Sequence, residues 1–272
     1  MRALLLSLGA CTSFGRGALP TQDGATDGAT DAPDATMIDA LTYQANAVEL
    51  DTSGNDYLTR GNFGAPDSAS GTFSAWLRFH APSDGAGQDI VTATIVGYGG
   101  GVVRTTTGHV EFLMRNCVGG AVLDVQTQNA YTTTSGWVHV LASWDLIATR
   151  ADIYVGENAD RAVGGTIGGS NICYHSVSWA IGGVSSGVLD ADVADLYVDL
   201  GTFTDFTDPN QRRKFSTLDG KPVPLGPNCM TPSGHQPIMC FTSPAATWNK
   251  NSGSGGDFTI NGDGLTAAPD AP

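Results

Sequence analysis

From residue 41 onward the chain is a series of short apolar and polar alternations, broken by Gly, Asp, Ser and Asn. Residues 72–80 alternate most cleanly. Phe73, Ala75, Leu77 and Phe79 fall on one side, and Thr72, Ser74, Trp76, Arg78 and His80 on the other. That is the period of a half-buried strand. Residues 193–200 repeat the pattern, with Ala194, Leu196, Val198 and Leu200 together. Residues 137–144 (WVHVLASW) are apolar on both sides, which predicts a central strand. Further strands are predicted at 45–50, 90–96, 109–114, 121–126, 152–155 and 178–181, with strand-like segments at 237–241 and 258–260. The one helix signal is residues 207–215, with a cap, Pro209 in the first turn and cations in the last. A dozen short strands at near-regular spacing predict an all-β, two-sheet antiparallel sandwich.

Composition agrees and adds limits. The 272 residues include 36 Gly and 13 Pro, and of the 27 acids only Glu49, Glu111 and Glu157 are Glu. Asp favours turns and caps where Glu favours helices. The net charge of −14 argues against non-specific nucleic-acid binding and against electrostatic docking on anionic membranes. No apolar run is long enough to span a bilayer as a helix.

The first residues, MRALLLSLGAC, place one Arg before a short apolar run and small residues before Cys11. This is the order of a secretory signal. Leu8-Gly9-Ala10-Cys11 resembles a bacterial lipobox, which implies acylation of Cys11 and a membrane attachment only through that lipid anchor. Residues 12–40 carry Asp-Gly-Ala-Thr twice, then Asp-Ala-Pro and Asp-Ala-Thr, with almost no bulky apolar side chains between 21 and 36. Such a segment cannot offset its ordering entropy and is expected to be a disordered spacer. The expected organisation is therefore a signal over 1–11, a linker over 12–40, a sandwich over 41–215, and an extension over 216–272. That extension would pack on the sandwich and end in disordered residues.

Setting Cys11 aside leaves Cys117, Cys173, Cys229 and Cys240, an even number that fits two disulfides in an oxidising compartment. Three connectivities are possible. Cys229 and Cys240 are eleven positions apart, flank a Pro/Gly-rich loop and are expected to pair, leaving Cys117 with Cys173.

Several segments resemble a known superfamily when taken in order. They are Asn55-Asp56-Tyr57-Leu58, Phe73-Ser74-Ala75-Trp76-Leu77-Arg78, Gly136-Trp137-Val138-His139-Val140, Asp152-Ile153-Tyr154-Val155, Ile181-Gly182-Gly183 and residues 189–197. Together they resemble a concanavalin A-like jelly roll of the laminin G-like or pentraxin type. Residues 212–215, 220–226 and 248–259 resemble a tail found behind such jelly rolls in phage and prophage structural proteins. The resemblance implies a jelly-roll sandwich and a binding or adhesion role. It also implies loop-held calcium, for which Asp84, Asp89, Asp190 and Asp192 are the plausible acids.

The same superfamily includes glucanases, whose paired carboxylates lie along one strand. The nearest match is Asp190-Ala191-Asp192-Val193-Ala194-Asp195. In a regular strand Asp190 and Asp192 share a face and Asp195 points away, unless a bulge intervenes. No nucleophile elbow is present, so no catalytic residue is assigned. The Gly-rich runs 97–101 and 164–169 lack the context of a phosphate loop and are expected to be flexible rim loops. For a glycan, Tyr98, Tyr131, Tyr174 and Trp179 are the candidate aromatic platform, and Trp76, Trp137 and Trp144 are expected in the core. The leading expectation is a non-catalytic module on a bacterial surface that binds a glycan or another cell-surface ligand. A phage or prophage virion protein, partnered with other virion proteins, is the alternative.

Overall fold

A computed structural model describes residues 43–81, 84–95, 98–175, 178–183 and 187–272. The expected lipidation site Cys11, the signal and the 12–40 spacer lie outside the described residues.

Two antiparallel sheets form a jelly-roll sandwich, with strands numbered along the chain. The first sheet runs in the order β10 (Asn158–Ala159), β9 (Arg150–Val155), β8 (Val138–Asp145), β3 (Ser70–Phe79), β13 (Ala191–Leu200), β1 (Ala47–Leu50) and β16 (Thr266–Ala267). β14 (Met239–Phe241) also pairs with β13. On the edge away from β3, β1 covers the first half of β13 and β14 the second. The second sheet runs β11 (Thr166–Ile167), β7 (Ala121–Gln126), β6 (Val110–Arg115), β5 (Tyr98–Arg104), β4 (Gln88–Ile95), β12 (Ser178–Ile181), β2 (Tyr57–Gly61) and β15 (Thr259–Asn261).

The core lies between the sheets and takes the apolar face of each alternating strand: Phe73, Ala75, Leu77 and Phe79 from β3 against Val91, Val102, Phe112 and Ile181. Trp144 is buried in it, its indole N–H donating to the Tyr174 hydroxyl at 2.9 Å. Gly71 makes room for that indole, because a Cβ there would lie 2.3 Å from it. A second apolar layer explains why β8 is apolar on both faces. Leu141 and Tyr197, on the outer face of the first sheet, are covered by Phe206, Phe215, Leu225 and the Cys229–Cys240 pair. The C-terminal segment is thus part of the sandwich: it supplies β14 and β16 to one sheet and β15 to the other.

Four expectations are corrected. The 97–101 run is not a rim loop; from Tyr98 onward it is β5, hydrogen-bonded between β4 and β6. Its glycines serve close approach rather than flexibility, since a Cβ on Gly101 would lie 2.1 Å from the Val91 carbonyl oxygen. Likewise Thr166 and Ile167 of the 164–169 run pair with β7. The helix is shorter than expected, α1 (Pro209–Arg212), and its cap is Asp208, which accepts from the Asn210 N–H at 2.8 Å. Finally, the last residues are held: Thr266 and Ala267 pair with β1, and Asp270 accepts from the Trp137 indole.

The phase of β13 also departs from strict alternation. Its register with β3 slips between Ala194 and Tyr197, and Asp195 takes a left-handed backbone with φ 46°. This bulge sends Val193 inward and Ala194 outward, against Trp76 and Ala47.

Candidate functional site

Three neighbouring strands build a polar row on the outer face of the first sheet. Register sets Arg78 of β3 opposite Asp192 of β13, and Asp192 opposite Glu49 of β1. Because alternate residues share a face, His80 and Asp190 extend the same patch, while Leu77 and Val193 point into the core.

Asp192 is fully buried. Its Oδ2 accepts from Arg78 Nε at 2.6 Å and Nη2 at 2.5 Å, and from His80 Nε2 at 3.1 Å. Its Oδ1 meets no donor among the described residues. The other ring nitrogen of His80 donates to Asp190 Oδ1 at 2.9 Å. Burial disfavours the His80 cation, but hydrogen bonds and charge from Asp192 and Asp190 outweigh it and raise the His80 pKa. Arg78 also pairs with Asp270 and lies over the Trp137 ring, 5.1 Å from its centre. Glu49 accepts weakly from the Thr266 hydroxyl at 3.4 Å.

Donor atoms of Glu49, His80 and Asp192 all lie within 4.8 Å of one another. Asp84 and Asp89 do not join them within ligand reach among the described residues. Asp84 pairs instead with Arg104 and accepts from Thr133, and Asp89 is buried at the start of β4. The four acids expected to hold calcium therefore form no single donor set among the described residues. The two that do cluster already share their negative charge with Arg78 and His80, a poor match for a cation that takes six to eight oxygens.

The glucanase-like triplet is rearranged in a similar way. The bulge turns Asp195 outward, where both its oxygens accept from the Tyr43 hydroxyl at 2.9 and 3.2 Å. Burial pushes its pKa up to about 7. The three acids do not converge on one another: His80 bridges Asp190 and Asp192, Arg78 pairs with Asp192, and Tyr43 holds Asp195.

The expected aromatic platform does not assemble. Tyr174 and Trp179 are core residues, 1% and 5% exposed, and Trp179 stacks on Phe63 with ring centres 4.9 Å apart. Tyr131 is half-buried and donates its hydroxyl to Asp160 at 2.5 Å. The Tyr98 side chain lies outside the described residues. The aromatic beside the polar row is Trp137, expected in the core but found half-buried immediately before β8. Its position after Gly136, at the mouth of a strand, was the available signal. Trp76 and Trp144 are in the interior as expected.

A groove of about 470 Å³ lies on the same region, lined by Tyr43, Gln44, Thr217, Asp219, Lys221, Ala271 and Pro272. Tyr43, Trp137 and Ala271 all pack on the small cluster of Ala45, Ala47, Trp76 and Ala194. The C-terminal residues thus border both features: Asp270 the polar row, Ala271 and Pro272 the groove.

Both disulfides have the expected pairing. Cys117–Cys173 spans a Cα separation of 4.9 Å and Cys229–Cys240 one of 6.3 Å.

No protein-family model matches the chain, and no curated protein matches it. Solved structures do. A provisionally assigned carbohydrate-binding protein from Bacteroides ovatus aligns with 83% of this chain at a TM-score of 0.55 and 12% identity. This chain covers 60% of that protein's length. A heptameric pentraxin from Limulus polyphemus aligns at a TM-score of 0.44 and 10% identity, over 83% of this chain and 95% of its own. The LG1-3 region of the laminin α2 chain aligns at 0.43 and 14%, over 57% and 31%. At these identities the likeness is one of fold, and the chain shares the two-sheet sandwich of the Bacteroides protein.

Proposed function

We propose that this chain is a non-catalytic binding module that recognises a glycan or another surface-displayed ligand through the groove lined by Tyr43, Thr217, Asp219 and Lys221. The observation that carries the reading is the composition of that groove. It offers the Lys221 ammonium, the Asp219 carboxylate, the Gln44 amide and the Thr217 hydroxyl around an apolar floor that includes Tyr43 and Ala271. Its volume falls within the common range for small-ligand sites, about 300–1,000 Å³. Sugar rings present hydroxyls to such groups and apolar C–H faces to aromatic rings. The carbohydrate-binding description of the Bacteroides protein supports the same reading. The net charge of −14 favours neutral glycans over polyanions.

The test is a glycan array probed with the full chain, followed by titration of any hit. Lys221→Ala and Asp219→Asn are expected to weaken binding about tenfold each, a typical cost for one lost charged hydrogen bond. An array without a hit, or a hit that neither substitution changes, would overturn the assignment.

We further place the module outside a bacterial cell, tethered by a lipid on Cys11. The even cysteine set and the lipobox-like start support that placement. The intact mass of the non-reduced protein from a lipoprotein-processing host tests it. Loss of residues 1–10 with added lipid is expected. An unprocessed chain would turn the reading toward a virion protein.

A further inference from the structure

We propose that the Cys117–Cys173 bridge is one state of a redox-gated metal site, and that on reduction Cys117, Cys173, His175 and Asp67 bind a zinc ion. The four side chains meet at one place, each offering an atom within 4.8 Å of the others. The ring nitrogens of His175 lie 3.6 Å from Cys173 Sγ and 3.9 Å from Cys117 Sγ. Asp67 Oδ2 lies 3.2 Å from Cys117 Sγ, and its Oδ1 accepts from His175 Nδ1 at 2.7 Å. Zinc–ligand bonds of about 2.0–2.3 Å in a tetrahedron place donor atoms roughly 3.3–3.8 Å apart. Most of the contacts are already near that spacing, and the bonded sulfurs are the pair that must separate.

The donors are held without help from the sulfur–sulfur bond. Cys117 sits in the turn between β6 and β7, where the Asn116 carboxamide oxygen accepts from the Val118 and Gly120 N–H groups. The Cys173 N–H donates to the Arg115 carbonyl at 2.9 Å, and the Ile172 N–H to that of Ser68 at 2.8 Å. Asp67 Oδ1 accepts from the backbone N–H of Tyr174 at 2.9 Å. Opening the bridge therefore leaves four donors on a braced loop pair. Two thiolates, an imidazole and a carboxylate form a set that suits zinc and disfavours calcium or magnesium.

Reduction and metal binding balance as two steps. A dithiol gives two electrons and two protons to the bridge, becoming a cyclic disulfide and leaving two cysteine thiols. Zinc then displaces two protons as both sulfurs ligate. Cys117 is exposed, so a dithiol reaches it directly. Cys229 and Cys240 are buried under Phe206 and Phe215 and belong to no such donor set among the described residues.

The test uses the full chain, reduced with dithiothreitol, freed of it without air, and titrated with cobalt(II) as a spectroscopic stand-in for zinc. One equivalent is expected to give thiolate-to-cobalt charge transfer and tetrahedral d–d bands, both erased by zinc. The oxidised chain is expected to give neither. Cys117→Ser with Cys173→Ser should abolish the signal, Cys229→Ser with Cys240→Ser should keep it, and His175→Ala should weaken binding at least tenfold. Circular dichroism of the reduced, metal-free chain is recorded alongside. Absence of charge transfer, its survival in the Cys117/Cys173 variant, unchanged binding in His175→Ala, or unfolding before metal is added would each overturn the proposal.

Discussion

Tyr43 donates its phenolic hydrogen to both carboxylate oxygens of Asp195, 152 residues further along the chain. The contact joins the first described residue to the bulge of β13. Burial dominates the acid and pushes its pKa up to about 7, the Tyr43 hydrogen bond only partly opposing it. Because the folded state holds the proton more tightly than the unfolded state does, this group makes stability fall as pH rises from about 4 to 7. The linkage is of order 4 kcal/mol at about 1.4 kcal/mol per pH unit. Asp195→Asn keeps an acceptor for Tyr43 and tolerates the left-handed backbone. We expect it to remove this slope and to stabilise the protein at pH 8 by ~1 kcal/mol or more. Urea unfolding at pH 5 and pH 8 checks this, and an unchanged slope would refute it.

His80 gives a slope of the same sign for the opposite reason, because here the fold favours the charged form. Its folded pKa is raised by the flanking Asp192 and Asp190 against the effect of burial, with Arg78 and Glu49 on the same face. The stability it contributes is complete below its unfolded value, about 6.5, and is lost as pH rises through the higher folded value. His80→Asn should therefore cost about 2 kcal/mol at pH 5.5 and less at pH 8.5, the scale of hydrogen bonds to a charged group. Equal losses at both pH values would show that His80 is neutral in the row.

The two disulfides should separate on reduction. They close sequence intervals of 56 and 11 residues, for which chain entropy gives about 4 and about 3 kcal/mol. Thermal melts of the Cys117→Ser/Cys173→Ser and Cys229→Ser/Cys240→Ser variants without added metal should both fall. The exposed bridge should open first under limiting reductant, which mass spectrometry after alkylation would reveal. Simultaneous opening would contradict the burial difference between them.

Glycine in β5 is required by packing. Gly101→Ala puts a methyl 2.1 Å from the Val91 oxygen at φ 151°, and is expected to cost about 3 kcal/mol or more. Gly61→Ala, with open space around it at the end of β2, should change stability by less than about 0.5 kcal/mol. Comparable effects at the two sites would mean that β5 is not held between its neighbours.

Much of the sandwich was readable in one dimension. Alternation located β3 and β13 to within two residues at each end, and the double apolar face of β8 marked a central strand, although the layer that covers its outer face appeared only in the structure. β2 was missed because YLTRG has little alternation, and β5 because its glycines read as flexibility. At the site, Asp190 and Asp192 were named in advance, but their partners were not. Glu49 is opposite Asp192 only through strand register, and Trp137 reaches Arg78 only because its ring stays outside β8.

The division follows from the range of each cause. The period-2 pattern, turn residues and cysteine number are local, and they determined that this chain would form short strands, stack them in two layers and join four cysteines in pairs. Tertiary structure decided where those strands meet. The β13 bulge, the insertion of C-terminal strands into both sheets, and the meeting of Glu49, His80 and Asp192 depend on pairing between segments far apart in the chain. A strand's own residues state which face is apolar, but only its neighbours fix its register and what lies across from it.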